Sequence, residues 1–223
     1  MRKISRLTLA SAAAIALFAG LVYLFAWSSI FSVSTITVSG APTADSKSQV
    51  VQRLDIAPGE KIARVEPRAI ATRLDSIDWI ESVDISRHWL SGHIEIAVKP
   101  RVPTAFFNGS TIDATGKVFQ LPGFSGANLP TVSATDPKTG LAAIALFQTF
   151  PADFKSEVTS LSARDSATFL LHINVAGQDL QVEWGKDEKT PLKIQVIKAL
   201  IALPENKNIK RIDISAPHAP IVK

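Results

Sequence analysis

Cysteine is absent from all 223 residues, which removes thiolate metal sites, catalytic thiols and disulfides at once. Histidine occurs only four times. His88 and His93 bracket a turn and can face each other across it, but no third ligand accompanies them, so no metal is expected. No phosphate-cradling GxxxxGK(S/T) or GxGxxG run is present. In Gly123-Phe-Ser125-Gly126 the second glycine comes one residue too early for a nucleophile elbow and no strand precedes it. Asp75, Asp78, Glu81 and Asp84 are interleaved with apolar residues, as on a solvated face rather than in an acid/base pocket. The expectation is a protein that is not an enzyme and has no cofactor.

Charge is also missing from one long stretch, between Arg6 and Asp45. Most of it is apolar, from Leu7 through Trp27, long enough to cross the ~30 Å hydrocarbon core as a helix. A cleavable signal has an apolar region of only about 7–15 residues, and here the small residues Ala12 to Ala14 fall inside the block rather than after it. A transmembrane helix over 7–30 is therefore expected, with residues 1–6 as a cytoplasmic tail, because Arg2, Lys3 and Arg6 satisfy the positive-inside rule. Tyr23 and Trp27 suit an aromatic belt at the outer end. These three basic residues supply most of the formal charge of +4 and help to raise the pI to about 9.4. The remaining chain is nearly neutral, which argues against nucleic acid as a partner.

Beyond the apolar block the pattern is α+β. Phe31 and Val33, then Ile36 and Val38 after a phase slip, read as a strand ended by Gly40-Ala41-Pro42. A helix over Ser48 to Asp55 places Val50, Val51 and Leu54 on one face and is broken by Pro58-Gly59. A second begins at Pro67, with Ile70, Leu74 and Ile77 on its apolar side. Alternation at Val83, Ile85 and Arg87, and again at Ile94, Ile96 and Val98, predicts a hairpin turning at Ser91-Gly92. The order is β-α-α-β-β.

Further on, Asn108-Gly109 between Thr104 to Phe107 and Thr111-Ile112 predicts a type I′ hairpin. A helix is expected from Leu141 to Phe150, through Leu141, Ile144 and Phe147. Strands follow at Phe169 to Val175 and Leu180 to Trp184, joined by a turn at Gly177 to Asp179. Thr190 is expected to cap a helix that starts with Pro191 and turns Leu192, Val196 and Leu200 to the sheet. Arg211 to Ile214 reads as a strand, and the tail to Lys223 can form a last one.

After the apolar block, the run Phe31-Ser-Val33-Ser-Thr-Ile36-Thr-Val38-Ser-Gly40, then Trp79-Ile80, Val83, Arg87-His-Trp89 and Ile94-Glu-Ile-Ala-Val98, resembles the POTRA domain of the FtsQ/DivIB bacterial cell-division proteins. Ile112-Asp113, Gly116, Val118-Phe119, Leu129-Pro130, Trp184-Gly185 and Ile212-Asp213-Ile214 resemble that family's second, β-rich domain. The resemblance implies a POTRA domain over 31–100 and an FtsQ/DivIB β-domain over 101–223, with flanking helices. It also implies a non-enzymatic, single-pass type II protein at the division septum that links early and late septation proteins. Upstream recruiters would meet the POTRA domain, and FtsB/DivIC-like and FtsL-like proteins the β-domain. A POTRA-bearing envelope-assembly or secretion component is the alternative class, for which a transmembrane β-barrel would be expected; about 120 residues of mixed helix and strand are too few.

Two surfaces are candidates. Large aromatics at a domain edge are common interface anchors, so Trp79, Arg87 and Trp89 are the recruitment candidates, with core packing as the alternative for each Trp and an exposed Arg87 expected. The resemblance places partner binding on Ser215, Ala216, Pro217, His218, Ala219, Ile221 and Val222. Ser215 and Ala216 stand where an Arg-Tyr pair is common in the family, and no Trp follows. Pro217 and Pro220 cannot donate, so an added strand is expected to pair through Ala219, Ile221 and Val222.

Overall fold

The computed structural model describes residues 6–27, 31–57, 59–126, 129–175 and 177–223. Arg2, Lys3, the end of the expected span at 28–30 and Pro58 lie outside them. Helix α1 runs Arg6–Trp27. Its side chains are described from Leu9 to Leu24, short of the about 20 residues that a span needs, and among the described residues no helix is long and apolar enough to cross a membrane.

The chain divides into two compact units, Met1–Pro100 and Arg101–Lys223. In the first, β1 (Thr35–Ser39), α2 (Ala44–Leu54), α3 (Pro67–Leu74), β2 (Ile80–His88) and β3 (His93–Pro100) follow in the β-α-α-β-β order. Strand β3 is central, parallel to β1 and antiparallel to β2. The core is built from Ile94, Ile96 and Val98 of β3, Val50 and Leu54 of α2, and Ile70 and Leu74 of α3. Helix α2 starts four residues before the expected Ser48, because Thr43 and Ser46 form a reciprocal capping box. Val51 is exposed rather than on the buried face, since it sits one residue, or about 100°, around from Val50. Phe31 and Val33 are buried but precede the strand; they pair with the loop before α3, Ile62 donating to Phe31 and Val33 to Glu60.

The second unit is a nine-stranded sheet. Its strands are β4 (Pro103–Phe107), β5 (Ser110–Asp113), β6 (Val118–Phe119), β7 (Thr131–Ala134), β8 (Val158–Asp165), β9 (Thr168–Val175), β10 (Gln178–Gly185), β11 (Arg211–Asp213) and β12 (Ile221–Val222), in the spatial order β12-β11-β10-β9-β8-β7-β4-β5-β6. The register lines Phe107, Val132, Leu161, Leu171, Val182, Ile212 and Val222 along one face, packed with residues of α4 (Pro137–Thr149), α5 (Ala152–Glu157) and α6 (Thr190–Ala202). The opposite face is polar and open along β8, β10 and β11, where it carries Ser160, Ser162, Gln181, Glu183, Arg211 and Asp213, but at the β4-β5-β6 end it holds Phe106 and the buried Thr111 and Phe119. Asn108 and Gly109 both have positive φ, as the type I′ turn requires, and the Asn108 side chain also bonds the backbone of Ala134.

Helix α6 differs from expectation in two ways. Thr190 is its first residue, not its cap; Lys189, in a left-handed conformation, holds the cap position without a side-chain bond. Its buried residues are Lys193, Ile194 and Ile197, with Val196 and Leu200 only partly covered. The helix is apolar on most sides, so its own pattern does not select a face, and a lysine enters the core where backbone carbonyls await it.

Candidate partner-binding edge

Strand β12 closes one end of the nine-stranded sheet. Lys223 donates to the Arg211 carbonyl (2.9 Å) and Arg211 to that of Lys223 (3.0 Å). Antiparallel ladders alternate between bonded and non-bonded pairs, so Asp213/Ile221 is the next bonded pair and Ile212/Val222 lies between them unbonded. The N–H and C=O of Val222 therefore point away from β11, to the free edge. Of the three residues expected to pair with an added strand, only Val222 presents its donor: the Ile221 N–H faces β11, and the Ala219 N–H closes a turn onto Ala216 (2.9 Å). A two-residue edge flanked by Pro220 is also a poor template for indiscriminate pairing.

Behind the edge, each candidate residue has a defined place. Ser215 donates to Asp213 Oδ1 through both its N–H (2.9 Å) and its hydroxyl (2.6 Å). Pro217 is buried, while Ala216, His218 and Ala219 are exposed on the connecting turn. Ile221 is 54% exposed on the open face, and Val222 packs toward the core beside Ile212. Gly185, at φ +70°, ends β10 so close to this turn that a Cβ there would lie 2.8 Å from Ser215 Cβ. The neighbouring Trp184 is fully buried, its ring 5.1 Å from that of Phe150. Lys193, 2% exposed, donates to the carbonyls of Trp184 and Lys186, both at 2.7 Å. Burial pushes its ammonium pKa down, against the pull of Glu188 and Asp187. A lysine in the core tying α6 to the end of β10 is a feature that sequence reasoning missed; only the proximity of Trp184-Gly185 to a helix hinted at it.

The open face beside β12 carries a groove of about 580 Å³, lined in part by Arg164, Leu170, Glu183, Arg211 and Asp213. Arg211 pairs with Glu183 across β11 and β10. The Ser215 hydroxyl, more than the Ser215 amide and the charges of Arg211 and Lys223, holds the Asp213 carboxyl below its usual range against a smaller opposing effect of burial. A depressed carboxylate stabilises the fold above its unfolded pKa, near 4, and that contribution is lost as pH falls through the lower folded value. The Ser215 turn therefore keeps its anchor at the unfolded value, about 4, and loses it only as pH falls below the lowered folded value. Thermal melts of the wild type and Asp213→Asn should converge there as pH falls; curves that stay parallel would show that Asp213 contributes nothing.

The recruitment candidates separate. Trp79 is 1% exposed and its indole N–H donates to Gln49 Oε1 (2.6 Å), so it is a core residue and not a docking anchor. Arg87 is half-buried, donates to the Val65 carbonyl (2.8 Å) and stacks on Trp89 at 5.1 Å, contrary to the expected exposure. Arg87→Glu should therefore lower the stability of the first unit by about 1–3 kcal/mol, since it strands the Val65 carbonyl; an unchanged melting temperature would refute that role. Trp89 is 38% exposed. His88 and His93 do face each other, with ring centroids 5.6 Å apart; Glu95 lies 3.7 Å from His88, and Thr35 meets His93 at 2.8 Å. Among the described residues, no group of three or more His, Asp or Glu is arranged to hold a metal.

Comparison with known proteins bears on this arrangement directly. Residues 31–101 match the POTRA domain, FtsQ-type, and residues 101–215 match the family described as cell division protein FtsQ/DivIB, C-terminal. The chain belongs to the FtsQ/DivIB family. It is also 28% identical, over 204 residues, to "Cell division protein FtsQ" of Mycolicibacterium smegmatis; the match covers 87% of this chain and 58% of that protein. The chain thus spans little more than half the length of the curated relative. The FtsQ/DivIB C-terminal match ends at Ser215, so Ala216 to Lys223, including β12, lie beyond it.

Proposed function

We propose that this FtsQ/DivIB protein is a non-enzymatic scaffold of the division machinery. Its β12 edge receives a strand from an FtsB/DivIC-like partner, with an FtsL-like protein in the same assembly, and its POTRA domain meets upstream recruiters. The single observation that carries the partner site is the outward N–H and C=O of Val222 on an edge strand, to which a partner segment can add a further strand. Helix α1 acts as a type II anchor: Leu9, Ile15, Phe18, Leu21 and Leu24 are all exposed, an arrangement suited to lipid rather than water. The basic tail puts the amino terminus in the cytoplasm and the two units outside, at the septum.

Val222→Pro removes the outward donor and leaves the β11 ladder in place. It should weaken binding of the full-length chain to an FtsB/DivIC-like peptide by about 0.5–1.5 kcal/mol, roughly two- to tenfold. Ile221→Pro acts differently, fraying β12 from within. Equal affinity of the wild type, Val222→Pro and a chain ending at Ser215 would eliminate this edge. Septal position of a fluorescent fusion, with filamentation on depletion, separates the division scaffold from an envelope-assembly component.

A further inference from the structure

We infer that the tip of the β2–β3 hairpin, Trp89-Leu90, is a second membrane contact that seats the POTRA unit on the outer surface of the bilayer. This rests on the anchor reading of α1. Leu90 is 94% exposed and Trp89 38% exposed, an adjacent apolar pair at the end of a hairpin in an otherwise polar loop. What places lipid there is the path of the chain. Only three residues separate Trp27, the last of α1, from Phe31. Ser34 then donates to the Gly92 carbonyl through its amide and to the Ser91 carbonyl through its hydroxyl, both at 2.8 Å. Ser32 approaches so closely that a Cβ on Gly92 would lie 2.3 Å from its carbonyl oxygen, a contact that only glycine at this φ of +68° allows.

From Trp27 to Ser32 there are five peptide steps, which reach about 18 Å at most when fully extended. A headgroup layer, about 5–8 Å on each side of the core, takes up part of that distance. The strands run in the matching direction. Thr35 pairs with His93 at the tip and Ser39 with Ala97 at the far end, so the chain enters at the tip and moves away from the membrane along β1. The tip is the membrane-proximal end of the unit. There Trp89 has the amphipathic ring that favours the interface, and the Arg87 guanidinium stacked on it can reach phosphate oxygens while its stem stays against the ring. Lys61, 3.2 Å from the Ser32 hydroxyl, adds a second cation at the same end, with Glu60 and Glu95 as the nearby acids.

The absence of cysteine makes the test direct. In the full chain, Leu90→Cys carrying an NBD fluorophore is compared with Ala97→Cys, exposed at the far end of β3, after reconstitution into phosphatidylglycerol/phosphatidylethanolamine vesicles at less than one chain per vesicle. The Leu90 probe should shift to the blue, lose its quenching by aqueous iodide and gain quenching by headgroup-proximal doxyl lipid, while the Ala97 probe should remain open to iodide. Equal iodide quenching at both positions, in a chain that resists carbonate extraction, overturns the hairpin contact and leaves the anchor standing. Protection of the Leu90 probe from iodide without doxyl quenching assigns the tip to protein and also overturns it. A chain stripped by carbonate removes the anchor and the inference together.

Discussion

Trp184→Ala should lower the stability of the second unit by about 3–5 kcal/mol, which corresponds to roughly 10–20 °C in its melting transition. The indole is fully buried among Phe150, at 5.1 Å, Phe154, at 6.2 Å, and the Lys193 ammonium, 5.2 Å from the ring centroid. Removing it opens a cavity and exposes a cation that now rests on a ring and two carbonyls. Trp184→Phe should cost less, because Trp184 Nε1 has no hydrogen-bond partner among the described residues and its loss strands nothing. Calorimetry of the two variants decides the matter: equal destabilisation would mean that a smaller aromatic face under the lysine restores nothing and that the full volume of the indole carries the effect. The transition of the first unit should stay where it is in both.

Gly185→Ala should uncouple the candidate edge, β12 and the Ser215 turn, from the sheet behind it. The left-handed φ of +70° costs an alanine about 1–2 kcal/mol, and its Cβ would also press on Ser215 at 2.8 Å. Gly177→Ala separates these two effects, because Gly177 has φ +81° with nothing within 4 Å of its Cβ position. Both variants should show the strain; only Gly185→Ala should also shift the Ser215 turn. Hydrogen exchange reads the outcome, with the amides of Arg211 and Lys223 losing protection in Gly185→Ala and keeping it in Gly177→Ala. Partner affinity should fall in parallel. Identical exchange in both variants would mean that the Ser215 turn absorbs the added methyl and that the close approach is not what positions the edge.

Much of the fold is legible in the chain because period alone specifies it. Alternation at Ile94, Ile96 and Val98 and the helical spacing of Ile70 and Leu74 place the same residues in the core that the structure buries. Asn108-Gly109 likewise declares its turn, since few residues tolerate positive φ in succession. Strand β8 was not legible: its open face is Ser160 and Ser162, its ladder with β9 is irregular, and its apolar positions Leu161 and Ala163 are too few to signal alternation. The family was readable for a related reason, because the order of its short motifs survives where each motif is weak.

The candidate sites depended on tertiary contacts to a greater degree. A tryptophan is equally at home in a core and at an interface, so nothing local distinguishes Trp79, bonded to Gln49, from the partly exposed Trp89. The buried face of α6 was set by the carbonyls of Trp184 and Lys186, which accept a lysine that hydropathy would turn to water. Sequence alone determined the apolar amino-terminal helix, the β-α-α-β-β order and the placement of a last strand at the carboxyl end, because these follow from residue type and period. Only the folded chain decided that the amide of Val222 rather than that of Ile221 points to the free edge. Which way a backbone N–H points in an antiparallel ladder is fixed by the register with β11, and register is a property of two strands at once.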